Sequence, residues 1–394
     1  MDVRTRALEL NGYMASIRRA LHSHPEVGHD LPFAESVIAD ALENAWDVKP
    51  GQGRGHGVIA TRGGGHPLIA IRADMDALPI EERTGLPFAS RNGCMHACGH
   101  DAHVAMLLGA AKIIAEAGEL ALRGVRLIFQ PAEETTGGAE SMIESGALDS
   151  VGEIIALHTG NLFDFPGKGG TMGAIGCRPG PLMAASALLD AVFIGRGGHG
   201  AMPHLTVDPI VMASEAIMRL QTIVSREMNP FDTAVITVAS ISSPSPSNNV
   251  IPDTCEMHGT IRAFSAENIT FLMERAKAVI EGAAAGARGH AEASLTRNLP
   301  PLVNDAGVVM RMRNAVIRTL SSDFLIGPED VAPSTGAEDF SRYLALVPGA
   351  MFYHRSGLGH PHHSSEFDVD ESVLWTGAAA LASYVLGSET PEGA

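Results

Sequence analysis

Between residues 57 and 157 the chain alternates short apolar runs of β type with stretches of helical period, and each run ends in polar residues able to do chemistry. Apolar runs at 57–60 and 68–71, divided by the Gly63-Gly64-Gly65 turn, are followed by others at 125–129 and 154–157. Helices are expected at 102–117 and 140–148, and upstream at 8–21 and 33–46, from the recurrence of apolar residues near every third or fourth position. Strands alternating with helices bury their apolar faces as an α/β layer with parallel strands. The exits from these strands read Arg72-Ala73-Asp74-Met75-Asp76, Gln130-Pro131-Ala132-Glu133-Glu134 and His158. Open α/β sheets form their sites at the carboxyl ends of strands. Three consecutive exits carrying Asp, Glu and His therefore predict one shared pocket.

The middle of the chain has a different order. A strand at 187–194, a helix at 209–228, strands at 233–242 and 254–264, a helix at 266–283 and a strand at 291–296 make β-α-β-β-α-β, the split βαβ sandwich. Alternating α/β material resumes after Asn298, with helices expected at 306–320, 337–346 and 371–386 and a strand at 350–354. The expected fold class is α/β: a mixed, largely parallel sheet flanked by helices, built from 1–185 and 299–394, with a ferredoxin-like α+β domain inserted at 186–298. The residues from 387 to 394 are expected to be a loose tail.

Composition removes several classes. With 28 Lys+Arg against 45 Asp+Glu the net charge is −17, and such a chain repels phosphate backbones, so no nucleic-acid partner is expected. No apolar run approaches the ~18 residues of a membrane span. Met1-Asp2-Val3-Arg4-Thr5-Arg6 leads into an amphipathic pattern rather than an apolar leader, so a cytoplasmic protein with no membrane association is expected. Four Cys in 394 residues are no disulfide framework, which leaves any functional Cys as a ligand or nucleophile.

The densest chemical cluster is Cys94-Met95-His96-Ala97-Cys98-Gly99-His100-Asp101-Ala102-His103. Thiolate, imidazole and carboxylate are the usual ligands of zinc and related metals. Glu133 and Glu134 would repel each other in one pocket unless a cation lay between them. A histidine-rich segment, His360-Pro361-His362-His363, offers late ligands. Taken singly, each cluster also fits an ordinary structural role: a surface turn, a solvated acidic loop, a satisfied strand-end His. Jointly they supply five or more ligands, beyond the need of one tetrahedral ion with an open position. Two ions sharing a bridge fit better, and such a pair activates water and polarises a carbonyl while a spare Glu carries the proton.

Seven segments resemble the metal-dependent aminoacylase and hippurate hydrolase family, part of the wider group of dinuclear-zinc carboxypeptidases and deacetylases. They are Arg72-Ala73-Asp74-Met75-Asp76-Ala77-Leu78-Pro79, His96-Ala97-Cys98-Gly99-His100-Asp101, Phe129-Gln130-Pro131-Ala132-Glu133-Glu134, Gly195-Arg196-Gly197-Gly198-His199-Gly200-Ala201-Met202-Pro203-His204, Asn249-Val250-Ile251-Pro252, Gly259-Thr260-Ile261-Arg262 and Glu338-Asp339-Phe340. The resemblance implies two divalent metal ions per subunit, Zn2+ or Mn2+, with Co2+ or Ni2+ also compatible. It makes Cys98 the bridging ligand, completes one site with His100 and His158, and completes the other with Glu134 and His363. His363 is chosen over His362 because the family's late His precedes a short turn and then Phe-Asp, as in His363-Ser364-Ser365-Glu366-Phe367-Asp368. Glu133 becomes the general base and later acid, and Asp76 orients a ligand from behind. The inserted domain becomes a lid that dimerises, so that His199 reaches the neighbouring subunit's site to stabilise an oxyanion, with Asn249 near it. Arg262 is the candidate for the substrate carboxylate, with a structural ion pair as its equal alternative.

The implied activity is hydrolysis of the amide bond of an N-acyl amino acid by a homodimer or dimer-based homotetramer. A dipeptidase or aminopeptidase is the alternative within the same group, and a non-catalytic metal or ligand binder is the alternative outside it. Two stretches depart from the family pattern: Ser243-Pro244-Ser245-Pro246-Ser247-Asn248, where a glycine-containing loop is usual, and Thr159-Gly160-Asn161, which lacks a nearby proline and leads into a glycine-rich, aromatic loop at 161–170.

Overall fold

The structure, a computed structural model, describes residues 1–118, 123–135, 137–160, 171–245 and 247–387. The loop at 161–170, Pro246 and the expected tail beyond residue 387 lie outside the described residues. The chain divides into two compact units. The first comprises Met1–Leu182, Val303–Ala332 and Asp339–Ala394, and the second Met183–Leu302 and Pro333–Glu338.

The first unit is built on an eight-stranded sheet in the order Asp47–Gln52, Gly57–Arg62, Val125–Gln130, Leu68–Asp74, Val151–Gly160, Gly349–Arg355, Ile175–Gly176, Leu325–Ile326. The four central strands, Val125–Gln130 to Gly349–Arg355, are mutually parallel. Antiparallel pairing begins where Gly57–Arg62 joins one side and Ile175–Gly176 the other. Every residue of Leu68–Asp74 is buried, as a parallel strand covered on both faces requires. The helix His100–Glu116 is buried along most of its length and packs against Asn11–His22 and Leu374–Leu386. That helix starts at the Cys98 turn, so the core of this unit fixes the position of the metal-ligand candidates.

Several elements differ from the sequence expectation. The central strands run one to three residues further at their exits than their apolar runs. Arg72–Asp74, Gln130 and His158–Gly160 therefore lie inside strands rather than after them. Those polar residues stay buried because they bond to one another, a stabilisation that hydrophobic patterning does not reveal. The N-terminal helical stretch is two helices, Val3–Glu9 and Asn11–His22. The helix expected at 337–346 is only Ser341–Leu344, because the Asp339 carboxylate accepts from Arg72 Nη2 at 2.8 Å, Gln130 Nε2 at 2.7 Å and Ala139 N at 3.0 Å, which holds the start of that segment in place. The edge strand Asp47–Gln52 is polar, mostly exposed and was not expected.

The second unit has one antiparallel sheet, ordered Ala234–Ser242, Thr254–Ala263, Ala185–Ile194, His290–Leu299. Two helices, Pro209–Thr222 and Ala266–Gly286, pack on it. In chain order this is β-α-β-β-α-β, with Ala185–Ile194 lying between Thr254–Ala263 and His290–Leu299, the ferredoxin-like arrangement. Burial alternates along Thr254–Ala263, with Cys255, Met257 and Ile261 inward and Glu256 and His258 outward. The helix expected to 228 is α-helical to Thr222 and continues as a π-helical turn, Ile223–Glu227.

A buried ionic cluster ties the first unit together behind the Cys98 turn. Arg18 donates to Asp101 Oδ2 at 3.1 Å, to Asp368 Oδ1 at 2.6 Å and to Val369 O at 3.3 Å. His22 places Nδ1 at 2.7 Å from Asp101 Oδ2 and Nε2 at 3.1 Å from Glu82 Oε1, so both ring nitrogens face carboxylates. Burial alone would depress the basicity of His22, but the charge of Asp101 and the bonds to Asp101 and Glu82 outweigh it and push its pKa to about 9. A folded pKa above the unfolded value contributes stability that is complete below about 6.5 and is lost as pH rises through 9. We expect denaturant midpoints to fall between pH 6.5 and 9, by up to about 3 kcal/mol of stability, and His22→Gln protein to lack that slope. A slope equal to that of the parent protein would refute this source of pH dependence.

Candidate metal centre

The turn before the helix His100–Glu116 depends on Gly99. Its φ is +83°, a left-handed conformation that favours glycine, and a Cβ there would lie 2.8 Å from Thr159 Cγ2. The tight turn lets Cys98 and His100 face one point. His100 Nδ1 donates to the Asp76 carbonyl at 2.8 Å, which turns Nε2 inward, and that buried nitrogen has no hydrogen-bond partner. His158 Nδ1 donates to Thr159 O at 3.1 Å, and its Nε2 lies 3.7 Å from Cys98 Sγ.

Asp76 serves the acidic turn as well. Its two carboxylate oxygens accept the backbone N–H groups of Glu133 and Glu134, each at 3.1 Å. Ala132 just before them has φ +57°, so the turn carries two adjacent Glu side chains into the same pocket. Glu134 Oε1 lies 3.2 Å from His363 Nε2 and 3.9 Å from His100 Nε2, and Glu133 Oε2 also lies 3.9 Å from His100 Nε2. His363 has φ +61°, and its backbone N–H donates to Ala97 O at 2.9 Å, which docks the late loop on the Cys98 turn.

Two triads result, Cys98–His100–His158 and Cys98–Glu134–His363. Within each, the potential ligand atoms lie within 4.8 Å of one another, and both contain Cys98. The donor set fits a pair of divalent cations. Burial, reinforced by Glu134 and Glu133, pushes the Cys98 thiol well above its ordinary pKa. Burial and the neighbouring His103 hold His158 neutral. Burial opposes protonation of His100, yet Asp74, Asp76 and Glu134 push it up to about 10. Glu134 is held below the usual carboxylate range against burial, chiefly by His363 and His100. Acidic groups thus crowd the inward-facing, partnerless His100 Nε2, and the buried Glu134 Oε1 has His363 Nε2 beside it at 3.2 Å. A cation would satisfy these atoms, relieve the repulsion and ionise the thiol.

Other residues were not assigned from the sequence. His362, the rejected neighbour of His363, places Nε2 at 2.9 Å from Thr159 O. His103 and Asp74 are bonded to each other beside the triads, at 2.5 Å. The spacing of His100 and His103, three apart on one helix face, was the available signal.

In the second unit, His199 and Asn249 are brought together. The backbone bridge pairs His199 with Val250, and Gly200 N donates to Asn249 O at 2.7 Å. Ala201 N donates to His199 Nδ1 at 3.1 Å, so the proton of the neutral ring is on the exposed Nε2. Arg262 is half-buried near the far end of the strand Thr254–Ala263, about 27 Å along it from Thr254 at ~3.4 Å per residue. Asp253, at the near end, accepts from Gly197 N through Oδ1. Within this unit Arg262 is therefore not part of the His199–Asn249 group.

Comparison with known proteins gives a consistent result. Residues 70–387 match Peptidase family M20/M25/M40. The chain is 40% identical over 369 residues to an N-acetyl-L-cysteine deacetylase of Bacillus subtilis, covering 93% of this chain and 85% of the relative. It is 39% identical over 392 residues to the IAA-amino acid hydrolase ILR1-like 2 of Arabidopsis thaliana, covering 96% and 85%. The crystal structure of a Bacillus subtilis dinuclear metal binding peptidase from the M20 family superposes with a TM-score of 0.83 at 33% identity, over 96% of this chain and 98% of the other. With the family matched over most of its length and relatives aligned nearly end to end, this chain belongs to Peptidase family M20/M25/M40 and is a hydrolase of amide bonds.

Proposed function

We propose that the protein hydrolyses N-acyl amino acids to a carboxylate and a free amino acid. The observation that carries this reading is the convergence of two ligand triads on Cys98 with a further carboxylate, Glu133, beside them. The relatives named as an N-acetyl-L-cysteine deacetylase and an IAA-amino acid hydrolase support the substrate class. Cys98, His100 and His158 would hold one divalent ion, and Cys98, Glu134 and His363 would hold the other. Thiolate and imidazole favour zinc, and the mixed donor set also accepts manganese, cobalt or nickel. Bound there, the ions supply Lewis acidity toward water and the amide carbonyl.

Glu133 removes a proton from the attacking water and delivers it to the leaving nitrogen. Asp76 keeps Glu133 and Glu134 aimed by holding both backbone N–H groups. The region 186–298 acts as a lid and dimerisation domain on a two-part catalytic domain, 1–185 and 299–394, in a cytoplasmic homodimer or a homotetramer built from two such dimers. In that assembly His199 Nε2–H from one subunit stabilises the oxyanion in the other, Asn249 lines the same region and Arg262 receives the substrate carboxylate. His199→Ala protein keeps its metal and loses rate, and mixing it with Glu133→Gln protein restores part of the activity. No rescue in a verified mixed dimer would remove the cross-subunit role. Among the described residues no helix is long and apolar enough to cross a membrane.

The test of the reaction is metal analysis followed by a panel of N-acetyl, N-benzoyl and N-indoleacetyl amino acids and free dipeptides, before and after chelation. Cleavage of acylated amino acids, abolished by chelation, is expected. Cleavage confined to free dipeptides would replace the proposal with a dipeptidase.

A further inference from the structure

Where the strand Val151–Gly160 carries His158, it has lost one of its neighbours. Its ladder with Leu68–Asp74 ends at the pair Arg72–Ala156, whereas pairing with Gly349–Arg355 continues through His158–Tyr353 and Thr159–His354. On the open side the backbone N–H of Thr159 has no strand carbonyl to meet, and a buried amide left without a partner is destabilising. A side chain replaces the strand. Thr159 N donates to His103 Nε2 at 2.8 Å.

That bond fixes the chemistry of His103. Nε2 accepts and so carries the lone pair, which places the ring proton on Nδ1, where it is donated to Asp74 Oδ1 at 2.5 Å. The other Asp74 oxygen accepts from Arg72 Nη1 at 2.5 Å, and Arg72 is held in turn by Gln130 Oε1 at 2.9 Å and Asp339 Oδ1 at 2.8 Å. With both ring nitrogens committed, His103 has none left to bind an ion, even though Asp74, His100 and His103 together form a cluster of ligand-type residues. From the other side, the Thr159 carbonyl accepts from His362 Nε2 at 2.9 Å and from His158 Nδ1 at 3.1 Å. Thr159 is thus gripped at its N–H by His103 and at its C=O by His362, while the same C=O orients the ring of His158. The three rings are close, with centroids 4.8 Å apart for His103–His158 and 5.3 Å for His158–His362.

We propose that His103 and His362 are positioning residues that clamp the Thr159 peptide and thereby aim the His158 imidazole at its metal ion. The inference rests on His158 being a ligand, as proposed above. Neither residue touches the reacting atoms. Their effect reaches the reaction through the orientation of one ligand, as second-shell partners of metal-bound histidines act elsewhere.

The experiment is a calorimetric titration of apo-protein with Zn2+ in a competing chelator, on parent, His103→Leu, His103→Gln, His362→Leu and His158→Ala proteins, with melting temperatures recorded in parallel. Gln keeps an oxygen able to accept the Thr159 N–H, and Leu does not. We expect His103→Leu and His362→Leu to weaken one of the two binding steps by about 10–100-fold and to leave the other unchanged. His103→Gln should recover most of the loss, and excess Zn2+ should restore turnover of the Leu variants. His158→Ala should abolish the same step. If His103→Leu does not fold, His103→Gln and His362→Leu are read against the parent, and parent-like affinity in His362→Leu overturns the clamp. Lower melting temperature with both affinities intact also overturns it, by reducing His103 to a structural role. If His158→Ala still binds two ions, the metal-site assignment itself fails, and the clamp fails with it.

Discussion

Glu133→Gln protein retains its full complement of metal and hydrolyses an N-acyl amino acid about 10²–10⁴-fold more slowly than the parent, the usual contribution of a positioned general base. The expectation follows from where Glu133 sits. Its neighbour Glu134 belongs to a triad with Cys98 and His363, whereas Glu133 is in neither Cys98 triad and lies 3.9 Å from His100 Nε2. Gln matches Glu in size and keeps the backbone N–H that Asp76 accepts, so the acidic turn should hold its shape. What disappears is the ability to take a proton from water. Since kcat and kcat/KM depend on that transfer and substrate binding does not, KM should change much less than kcat. Metal content below that of the parent would mean that Glu133 is a ligand. Undiminished turnover would mean that another group is the base.

Cys98→Ala has the second large effect and reads differently. Cys98 is common to both triads, so losing its sulfur removes a ligand from each. Metal analysis should fall below two ions per chain, and turnover by at least about 100-fold, beyond the typical cost of losing a ligand's outer partner. Cys98→Asp offers a carboxylate bridge and should recover part of the occupancy. The Ala substitution removes a buried thiol whose ionisation is penalised without metal, so the metal-free variant should be about as stable as the metal-free parent. A Cys98→Ala protein that keeps two ions would end the bridging assignment.

The sequence made the α/β frame and the ferredoxin-like insertion legible because both rest on periodicity. It also exposed the cluster around Cys98 and the Glu133–Glu134 pair, since thiol, imidazole and paired carboxylates so closely spaced are chemically unusual. It did not expose what holds those residues. Arg18, His22 and Asp101 are buried through mutual ion pairing, and their partners lie 60 to 351 residues away in sequence. His103 was assigned no role because its two bonds go to a side chain 29 residues back and a backbone amide 56 residues ahead. Hydrophobic patterning cannot encode such bonds, and it also underestimated the strands, whose ends are polar and buried. The short helix Ser341–Leu344 is a similar case, set by the bonds of Asp339 rather than by helix propensity.

The candidate ligands come from both ends of the chain, with Cys98 early and His363 late, 265 residues apart by subtraction of their positions. At a synthesis rate of roughly 5–20 residues per second, about 13–50 s separate the emergence of the two on a ribosome. During that interval the Cys98 thiol is on a nascent chain whose strand Gly349–Arg355 does not yet exist, so neither the central sheet nor the second triad can close. An ion held by Cys98, Glu134 and His363 could therefore be bound only once the late loop has been made, whereas Cys98, His100 and His158 are all on the chain well before it.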